Sequence, residues 1–387
     1  MNISTHERAL LPLVTLQGAV GTMAGFIGYF VIDNHSIAAM FEFTALMLTV
    51  SSMVFALAYG FAPKLGLGGK HLMQLGFMIP GMLLMTGNDS VWMMAAVYGS
   101  YLGLTWSARH WLEMSLLADA ERDRYASHAS ALAVTGAIAA TLVATLVLAY
   151  SRENRDYVYF FYGVVCLAGA FTLGKGLPDA PVKPLRDPIG VMRQPEFIAC
   201  LPLFFLESGM LGLAHAVGAV GSSTALATAS SFGWVATVAG LAGGLGLYLS
   251  RNNRGINNRA GWLAASCLVM AMAYALLGAS AWIPALYVGY SVLRQISGPF
   301  LAASEHVLNQ RTLDIRGELV DRIVARDLTL WLLRMLSLLG FWTASTALTP
   351  AQLLAIGSAI LSLAVLCEYL IGQAWFTNRS AKGGQPA

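Results

Sequence analysis

The sequence predicts an all-α polytopic membrane protein with twelve transmembrane helices in two six-helix pseudo-repeats. Three observations predict this fold class. First, 57% of the 387 residues are hydrophobic and only 11% are charged, with a mean hydropathy of +0.64, whereas about 25% of the residues of a soluble domain are charged. Second, apolar segments long enough to cross a bilayer recur along the whole chain. Third, a polar, proline-rich segment divides them six and six.

A transmembrane helix needs about 20 apolar residues to cross a hydrocarbon core about 30 Å thick. Twelve segments meet this requirement, of which the third and sixth are short. They cover residues 9–32, 37–61, 71–87, 91–112, 125–149, 157–174, 197–220, 223–249, 260–278, 281–304, 323–347 and 351–375. The first is expected to be a membrane span and not a cleaved signal, because its apolar run continues to Asp33 without a cleavage site of small residues.

Basic residues indicate the orientation of the chain in the membrane. Eighteen of the 23 Lys and Arg residues fall in the terminal arms, the central segment and the loops after even-numbered spans, and only Arg152 and Arg155 fall in the opposite loops. Because short cytoplasmic loops retain Lys and Arg, we expect both termini in the cytoplasm, with a bacterial inner membrane as the location. The net charge of +3 therefore reflects topology and does not indicate nucleic-acid binding.

The segment GKGLPDAPVKPLRDPIGVMRQPE is the longest polar interruption and divides the chain. We expect a six-helix half at 1–174, a cytoplasmic linker at 175–196, a second six-helix half at 197–376 and a cytoplasmic tail at 377–387. The halves look like tandem copies. Span four ends in WLEMSLL and leads into DRYASHASALAV, and span ten ends in ASEHVLN and leads into DRIVARDLTLWL.

Twelve helices, cytoplasmic termini, a central linker and two six-helix repeats resemble the major facilitator superfamily of secondary transporters. The loop YGFAPKLGLGGKH at 59–71 retains glycines and lysines of the family's signature but lacks its acidic residue. The family's GP step is absent from span five, which disfavours a drug/proton antiporter. The stretch LRQISGPFLAA at 293–303 is similar to the family's RxxQG-like element associated with proton coupling, with Ser297 in place of Gln. The resemblance implies alternating access, with spans one, four, seven and ten lining a central cavity and span eleven beside it.

Three charged residues lie deep in predicted spans: Glu207, Arg294 and Arg334. A charged side chain at the bilayer centre costs about 3 kcal/mol, so such residues face a cavity or a partner. Two hypotheses stay open for Glu207, a proton carrier or a structural ion pair with Arg294. Arg294 is expected to bind substrate or relay protons, and Arg334 to bind an acidic solute. Together the three give a cavity charge of about +1 by their formal charges.

Weaker candidates line the predicted cavity helices. His215 lies eight residues after Glu207, on roughly the same helical face, and is expected to relay protons or to act only as a polar wedge. Residues that offer amphipathic surface to an organic solute, with simple packing as the alternative, are Gln17, Tyr98, Tyr101 and Tyr290.

Charged residues near the cytoplasmic ends of the spans are gating candidates, because ion pairs can close the inner mouth and break when it opens. Ordinary interfacial charges are the alternative. The candidates are Arg109, Glu113, Asp123, Arg124, Glu305, Asp321 and Arg322.

The sequence thus predicts a secondary active transporter of a small organic solute, proton-coupled through Glu207 and Arg294 and suited to a carboxylate- or phosphate-bearing substrate. The alternatives are efflux of hydrophobic or cationic drugs, copper uptake suggested by the methionines of MIPGM and HWLEM, and a membrane receptor or assembly protein that transports nothing.

No enzyme activity, cofactor or resident metal is expected. The four cysteines lie in apolar segments without CxxC spacing, and no nucleophile constellation or nucleotide loop is present in the sequence. The expected partners are the solute, protons and the lipid bilayer, and the chain is expected to act as a monomer.

Overall fold

The computed structural model describes most of the chain. It covers residues 4–250 and 259–382, without the side chains at 119–120, 123, 174–175, 259–260, 303–304, 306–311 and 374–382. The last five residues of the predicted tail therefore lie outside the described residues.

Within the described ranges the chain forms sixteen α-helices and one π-helical turn. They are α1 (Thr5–Gly21), α2 (Met23–Asn34), α3 (Ile37–Phe61), α4 (Gly69–Leu84), α5 (Val91–Leu116), α6 (Asp119–Tyr150), α7 (Arg155–Gly176), α8 (Pro188–Met192), α9 (Pro195–Ile198), α10 (Leu201–Phe204), the π-helical turn (Phe205–Gly209), α11 (Leu211–Ala225), α12 (Ala229–Leu249), α13 (Arg259–Ala279), α14 (Leu286–Thr312), α15 (Leu319–Ser345) and α16 (Pro350–Lys382). Span one consists of α1 and α2, and span seven of α10, the π-helical turn and α11. The predicted all-α membrane fold is confirmed.

Eight helical segments of the described chain are long and apolar enough to cross a membrane, judged by length and composition. They correspond to predicted spans one, two, five to nine and twelve. The other four spans coincide with α4, which has 16 residues, and with α5, α14 and α15, which carry most of the charged candidate residues. The structure therefore fits twelve spans, although a third of them are short or polar for that role.

Glycines allow the helix backbones within the first half to touch. A Cβ placed on Gly18 of α1 would lie 2.1 Å from the Ala133 carbonyl oxygen of α6, and one placed on Gly136 of α6 would lie 2.1 Å from the Thr15 carbonyl oxygen. Small residues at such crossings are typical of membrane helices, where close packing replaces the hydrophobic driving force. Spans one and five therefore form a tightly fitted pair.

The halves meet along α3 and α15 and along α6 and α12, and also through an aromatic contact at one end of the bundle. There Phe232 of the second half lies edge-on to Phe26, with ring centroids 5.2 Å apart, and stacks on Tyr29 at 6.1 Å. The Tyr29 hydroxyl donates to the Leu226 carbonyl oxygen at 3.1 Å. We call this the far end, because it is opposite the linker.

The linker lies against both halves at the other end of the bundle, here called the linker end. The Trp111 indole Nε1 and the Gly69 backbone N both donate to the Ala180 carbonyl oxygen, at 3.0 and 2.8 Å. Further along, the Arg186 backbone N donates to Asp321 Oδ1 at 2.9 Å. Asp321, predicted as a gating residue, thus holds the linker to the second half.

Helix α14 continues through Gly298 and Pro299 without a break. Proline has no N–H, so the carbonyl of Gln295, four residues earlier, loses its helical donor. Gly243 of α12 packs directly on that carbonyl, because a Cβ at this position would lie 2.2 Å from its oxygen. The proline is therefore accommodated by close helix packing.

Candidate functional site

A cavity of about 470 Å³ lies between the two halves. Spans one, four and five form one wall, and spans seven, nine, ten and twelve form the other. Its charged lining residues are two arginines and three glutamates: Arg109, Arg294, Glu207, Glu305 and Glu368. We call it the linker-side cavity. A second space of about 370 Å³, the far cavity, adjoins it toward the far end and shares Arg294 with it.

Arg294 is the charged residue common to both cavities. Its side chain is exposed although it lies within the helix bundle, because it projects into these spaces. The guanidinium lies over the Tyr290 ring at 5.9 Å from the centroid, which is cation–π geometry. Tyr290, a predicted substrate contact, is only 2% exposed. Its ring packs beneath the Arg294 guanidinium. Among the described residues no carboxylate pairs with Arg294, so its donors remain available to an anion.

Glu207 sits in the π-helical turn of span seven. Such turns disrupt the regular hydrogen-bond ladder and are frequent at functional sites. Two side chains of α15 satisfy the carbonyls of this turn: Arg334 Nε donates to the Ser208 oxygen at 3.1 Å, and Ser337 Oγ donates to the Gly209 oxygen at 2.6 Å. Arg334 lines neither cavity. Arg334 therefore positions the π-helical turn that carries Glu207. The prediction for Arg334 was direct contact with the substrate.

The predicted ion pair between Glu207 and Arg294 is not formed. Both residues line the linker-side cavity, but Arg294 also reaches the far cavity, which Glu207 does not. The basic groups that act on Glu207 are Arg326 and Arg334 of α15. One carboxylate oxygen of Glu207, Oε2, is buried and has no hydrogen-bond partner. The position of each residue within its predicted span indicated that both lie deep in the membrane. Whether the two side chains pair depends on the rotation of each helix about its axis, which that position does not determine.

His215 lines the far cavity and stacks on Tyr98, with ring centroids 6.3 Å apart and an interplanar angle of 13°. It does not line the linker-side cavity with Glu207. The two residues still lie along one helical face, because Leu211 and Ala214, which stand between them in the sequence, line both cavities. Tyr98, a predicted substrate contact, does line the far cavity.

Arg109 belongs to a network inside the first half. Its Nε donates to Glu113 Oε1 at 2.6 Å, and its Nη1 donates to Gln17 Oε1 at 3.3 Å. The Tyr101 hydroxyl donates to the Gln17 carbonyl oxygen at 2.7 Å. Gln17 and Tyr101 line neither cavity, so this network joins spans one and four and does not provide the solute contact predicted for either residue.

Arg124 and Arg322 also bond within their own halves. Arg124 Nη2 lies 2.8 Å from the carboxylate of Glu7, whose other oxygen is 2.6 Å from His128 Nδ1. Arg322 donates to a backbone carbonyl in the loop before α15. The side chain of Asp123 lies outside the described residues. The partners of Arg109, Arg124 and Arg322 therefore lie in the same half as each arginine. A gating pair, as predicted, would instead join the two halves.

Glu305, predicted as a gating residue, lines the linker-side cavity, and so does Glu368 of α16. Glu368 is 1% exposed and was missed from the sequence. Its signal was available, since it interrupts the apolar run LAVLCEYLIG of the last span. Three glutamates against two arginines give the cavity an acidic lining in place of the expected positive charge. No three His, Cys, Asp or Glu side chains of the described chain lie close enough to hold a metal ion.

No protein-family model matches the sequence, and no curated protein matches it. Solved structures do match its fold. A bacterial homologue of the iron transporter ferroportin, crystallised in an outward-facing state, aligns with a TM-score of 0.57 at 15% identity, over 97% of this chain and 99% of that chain. The human organic anion transporter MFSD10 (TETRAN) aligns with a TM-score of 0.61 at 11% identity, over 94% and 99%. The chain is therefore an integral membrane protein with the major facilitator fold of these transporters.

Proposed function

We propose that this chain is a secondary transporter that moves a small organic anion by alternating access between its halves, coupled to protons. The observation that carries the proposal is Arg294, an exposed cation between two adjoining cavities without a carboxylate partner in the described chain. Two solved structures with this fold support the proposal, one described as a bacterial homologue of an iron transporter and one as an organic anion transporter. We further propose that the chain works as a monomer in a bacterial inner membrane with both termini in the cytoplasm.

The distribution of charge supports an anionic group at Arg294. The other arginine of the linker-side cavity, Arg109, is already neutralised by Glu113 at 2.6 Å. The glutamates belong to the linker-side cavity and do not line the far cavity. A carboxylate or phosphate bound to Arg294 would place the organic part of the solute in the far cavity. The aromatic rings of Tyr98, Tyr287 and Phe232 line that space, and rings of this kind pack well against organic solutes.

Proton coupling follows from the cost of moving charge through a membrane protein. An anion bound beside ionised glutamates experiences like-charge repulsion, and protonation of Glu207 would relieve it. Glu207 faces the same cavity as Arg294, and its unpartnered oxygen can accept a proton without breaking a hydrogen bond. Uptake of a proton together with the anion therefore lowers the charge that crosses the bilayer.

Transport by purified protein in proteoliposomes tests the substrate class. Candidate carboxylates and phosphates are first selected by the thermal stabilisation they confer on the protein. An Arg294→Gln variant is then expected to weaken apparent affinity for an acidic solute about 10- to 100-fold, since a hydrogen bond to a charged group contributes about 1.5–3 kcal/mol. Arg294→Lys is expected to retain part of the affinity, because it keeps the charge but loses the bidentate geometry.

Arg316→Gln is the matched control, because it removes an arginine that is 88% exposed at the bundle end. It is expected to leave affinity unchanged. Equal weakening by Arg294→Gln for an acidic solute and its neutral analogue would refute anion recognition at this residue.

Export of a cationic solute is the second candidate, favoured by the three glutamates of the linker-side cavity. Under this alternative, transport of a cationic dye requires Glu207 and does not require Arg294. Loss of dye transport in Glu207→Gln, with full transport in Arg294→Gln, would favour export of cations over the primary proposal.

A further inference from the structure

A groove on the outer surface of the bundle lies between α1, α6 and α7 and has a volume of about 770 Å³. It shares no lining residue with the linker-side cavity or the far cavity. One face of α1 lines it, from Arg8 through Pro12 and Thr15 to Ala19. Val143 of α6, also in the lining, is 41% exposed. The groove is therefore open to the membrane side of the protein, and we call it the lipid-side groove.

Close helix packing fixes the walls of the groove. Gly136 of α6 touches the Thr15 backbone, where a Cβ would lie 2.1 Å from the carbonyl oxygen. On the other side, Leu16 packs on Gly169 of α7, where a Cβ would lie 2.2 Å from Leu16 Cδ2. The three helices therefore cannot close the groove without losing these contacts. An empty groove would leave its walls without van der Waals partners, and the molecules that surround it in a membrane are lipids.

The groove is charged at one end and apolar along the rest of its length. Among the described residues Arg8 is the only charged one in the lining, and its side chain is exposed and forms no ion pair with a described carboxylate. The Thr15 hydroxyl donates to the Leu11 carbonyl oxygen at 3.1 Å, so it is satisfied within α1. The lining therefore suits an elongated apolar molecule with an anionic group at one end.

The acidic neighbour of Arg8 does not offset its charge. Glu7 is fully buried, with Arg124 Nη2 2.8 Å from one carboxylate oxygen and His128 Nδ1 2.6 Å from the other. Because Arg124 compensates Glu7, the guanidinium of Arg8 remains available to an anion. These contacts also place Arg8 beside the start of α6, at the linker end of the bundle. Basic pockets between membrane helices bind anionic lipid headgroups in this way.

The length of the groove matches one leaflet of a bilayer. From Arg8 to Ala19 the axis of α1 rises over eleven residues, or about 16 Å, which is close to half of a hydrocarbon core about 30 Å thick. We propose that the lipid-side groove binds one anionic phospholipid, with the phosphate on the Arg8 guanidinium and one acyl chain along α1. This site goes beyond the proposed transport of a solute and does not depend on it.

A membrane helix, from a second copy of this chain or from another protein, is the competing occupant. A helix with its side chains is about 10–12 Å across and takes up about 1,300 Å³ or more over a length of about 16 Å. The groove holds about 770 Å³, so a helix can cover it but cannot fill it. A helix would also need an acidic residue for Arg8, whereas every anionic phospholipid carries a phosphate.

Native mass spectrometry of the full-length purified protein in detergent tests the site without a solute. Phosphatidylglycerol, which is anionic, and phosphatidylcholine, which has no net charge, are added with identical acyl chains. The wild type is expected to retain one phosphatidylglycerol with about fivefold higher apparent affinity than phosphatidylcholine. Arg8→Gln should remove this preference. Arg316→Gln, at an arginine that is 88% exposed, is the control and should keep it.

Two valines test the place of the acyl chain. Val143 lines the groove and Val164 of α7 does not, although their exposed fractions are 41% and 42%. Val143→Trp places an indole in the groove and should weaken retention of phosphatidylglycerol, whereas Val164→Trp should leave it unchanged. Thermal unfolding of each variant checks that it is folded.

Equal affinity for the two lipids in the wild type, or a preference that persists in Arg8→Gln, would overturn the proposal. Equal lipid retention in the two tryptophan variants would also contradict it. A lipid-free dimer that Val143→Trp dissociates would show instead that a second copy covers the groove. Because no solute is present, a failure of anion transport does not alter these outcomes, and absence of lipid binding leaves the transport proposal standing.

Discussion

The contact between Gly243 and Gln295 holds the helix that carries Arg294, and a Gly243→Ala substitution tests it. The added methyl carbon would lie 2.2 Å from a backbone oxygen, whereas ordinary contact begins near 3.4 Å. A backbone carbonyl cannot rotate away as a side chain can, so α12 and α14 must separate by about 1 Å for the atoms to reach van der Waals distance.

The size of the effect follows from two opposing terms. Overpacking of this kind costs about 1–3 kcal/mol, while alanine is favoured over glycine inside a helix by about 1 kcal/mol. Gly246→Ala in the same helix is the matched control, because its methyl group would meet Ile296 Cγ2 at 3.7 Å, an ordinary contact. Gly246→Ala gains the same helix propensity but introduces no overpacking. Gly243→Ala is therefore expected to be less stable than Gly246→Ala by about 1–3 kcal/mol.

Thermal unfolding of both variants in the same detergent, followed by tryptophan fluorescence, measures this difference. Transport adds a second readout, because displacement of α14 also displaces Arg294, the residue next to Gln295. We expect a raised KM for the acidic solute in Gly243→Ala and an unchanged KM in Gly246→Ala. Equal melting temperatures and equal KM values for the two variants would refute the role of this close approach.

Two further predictions concern the ends of the bundle. Arg124→Ala should lower the melting temperature more than Glu7→Gln, because Glu7 is fully buried whereas the Arg124 side chain is 32% exposed and can reach water. The double variant should recover part of the loss in melting temperature caused by Arg124→Ala. Equal effects of the two single variants would contradict this reasoning. Phe232→Ala removes the aromatic contact between the halves and should speed labelling of a Ser222→Cys thiol in the far cavity, measured against the chain without that thiol. A labelling rate unaffected by Phe232→Ala would show that this ring does not control access.

The position of a charged residue within an apolar span was enough to identify two residues that line the linker-side cavity. Glu207 and Arg294 interrupt apolar runs that are otherwise suited to lipid, and both line the linker-side cavity. One charged residue among about 20 apolar neighbours is easy to recognise in the sequence, and such residues rarely face lipid. The same criterion applied to the last span identifies Glu368.

The contacts of these residues could not be predicted in the same way. Pairing depends on the rotation of each helix, and the π-helical turn at Glu207 changes that rotation within span seven. The residues FLESG contain no signal that predicts a π-helical turn. Two carbonyl oxygens of this turn accept hydrogen bonds from side chains of α15, which lie more than 120 residues later in the chain. Glu7 likewise reads as an ordinary charge near the first span, and only the fold brings Arg124 and His128 to it.

The charge balance of the linker-side cavity links anion binding to proton uptake. With Arg109 neutralised by Glu113, the other ionisable carboxyl and guanidinium groups of the lining are Arg294 and three glutamates. An arriving anion neutralises Arg294 and leaves only acidic side chains facing the same cavity, which favours uptake of a proton by one of them. Because linkage between two ligands is reciprocal, protonation must strengthen anion binding by the same factor, so the affinity for an acidic solute should rise as the pH falls in the wild type and should lose part of this dependence in Glu207→Gln.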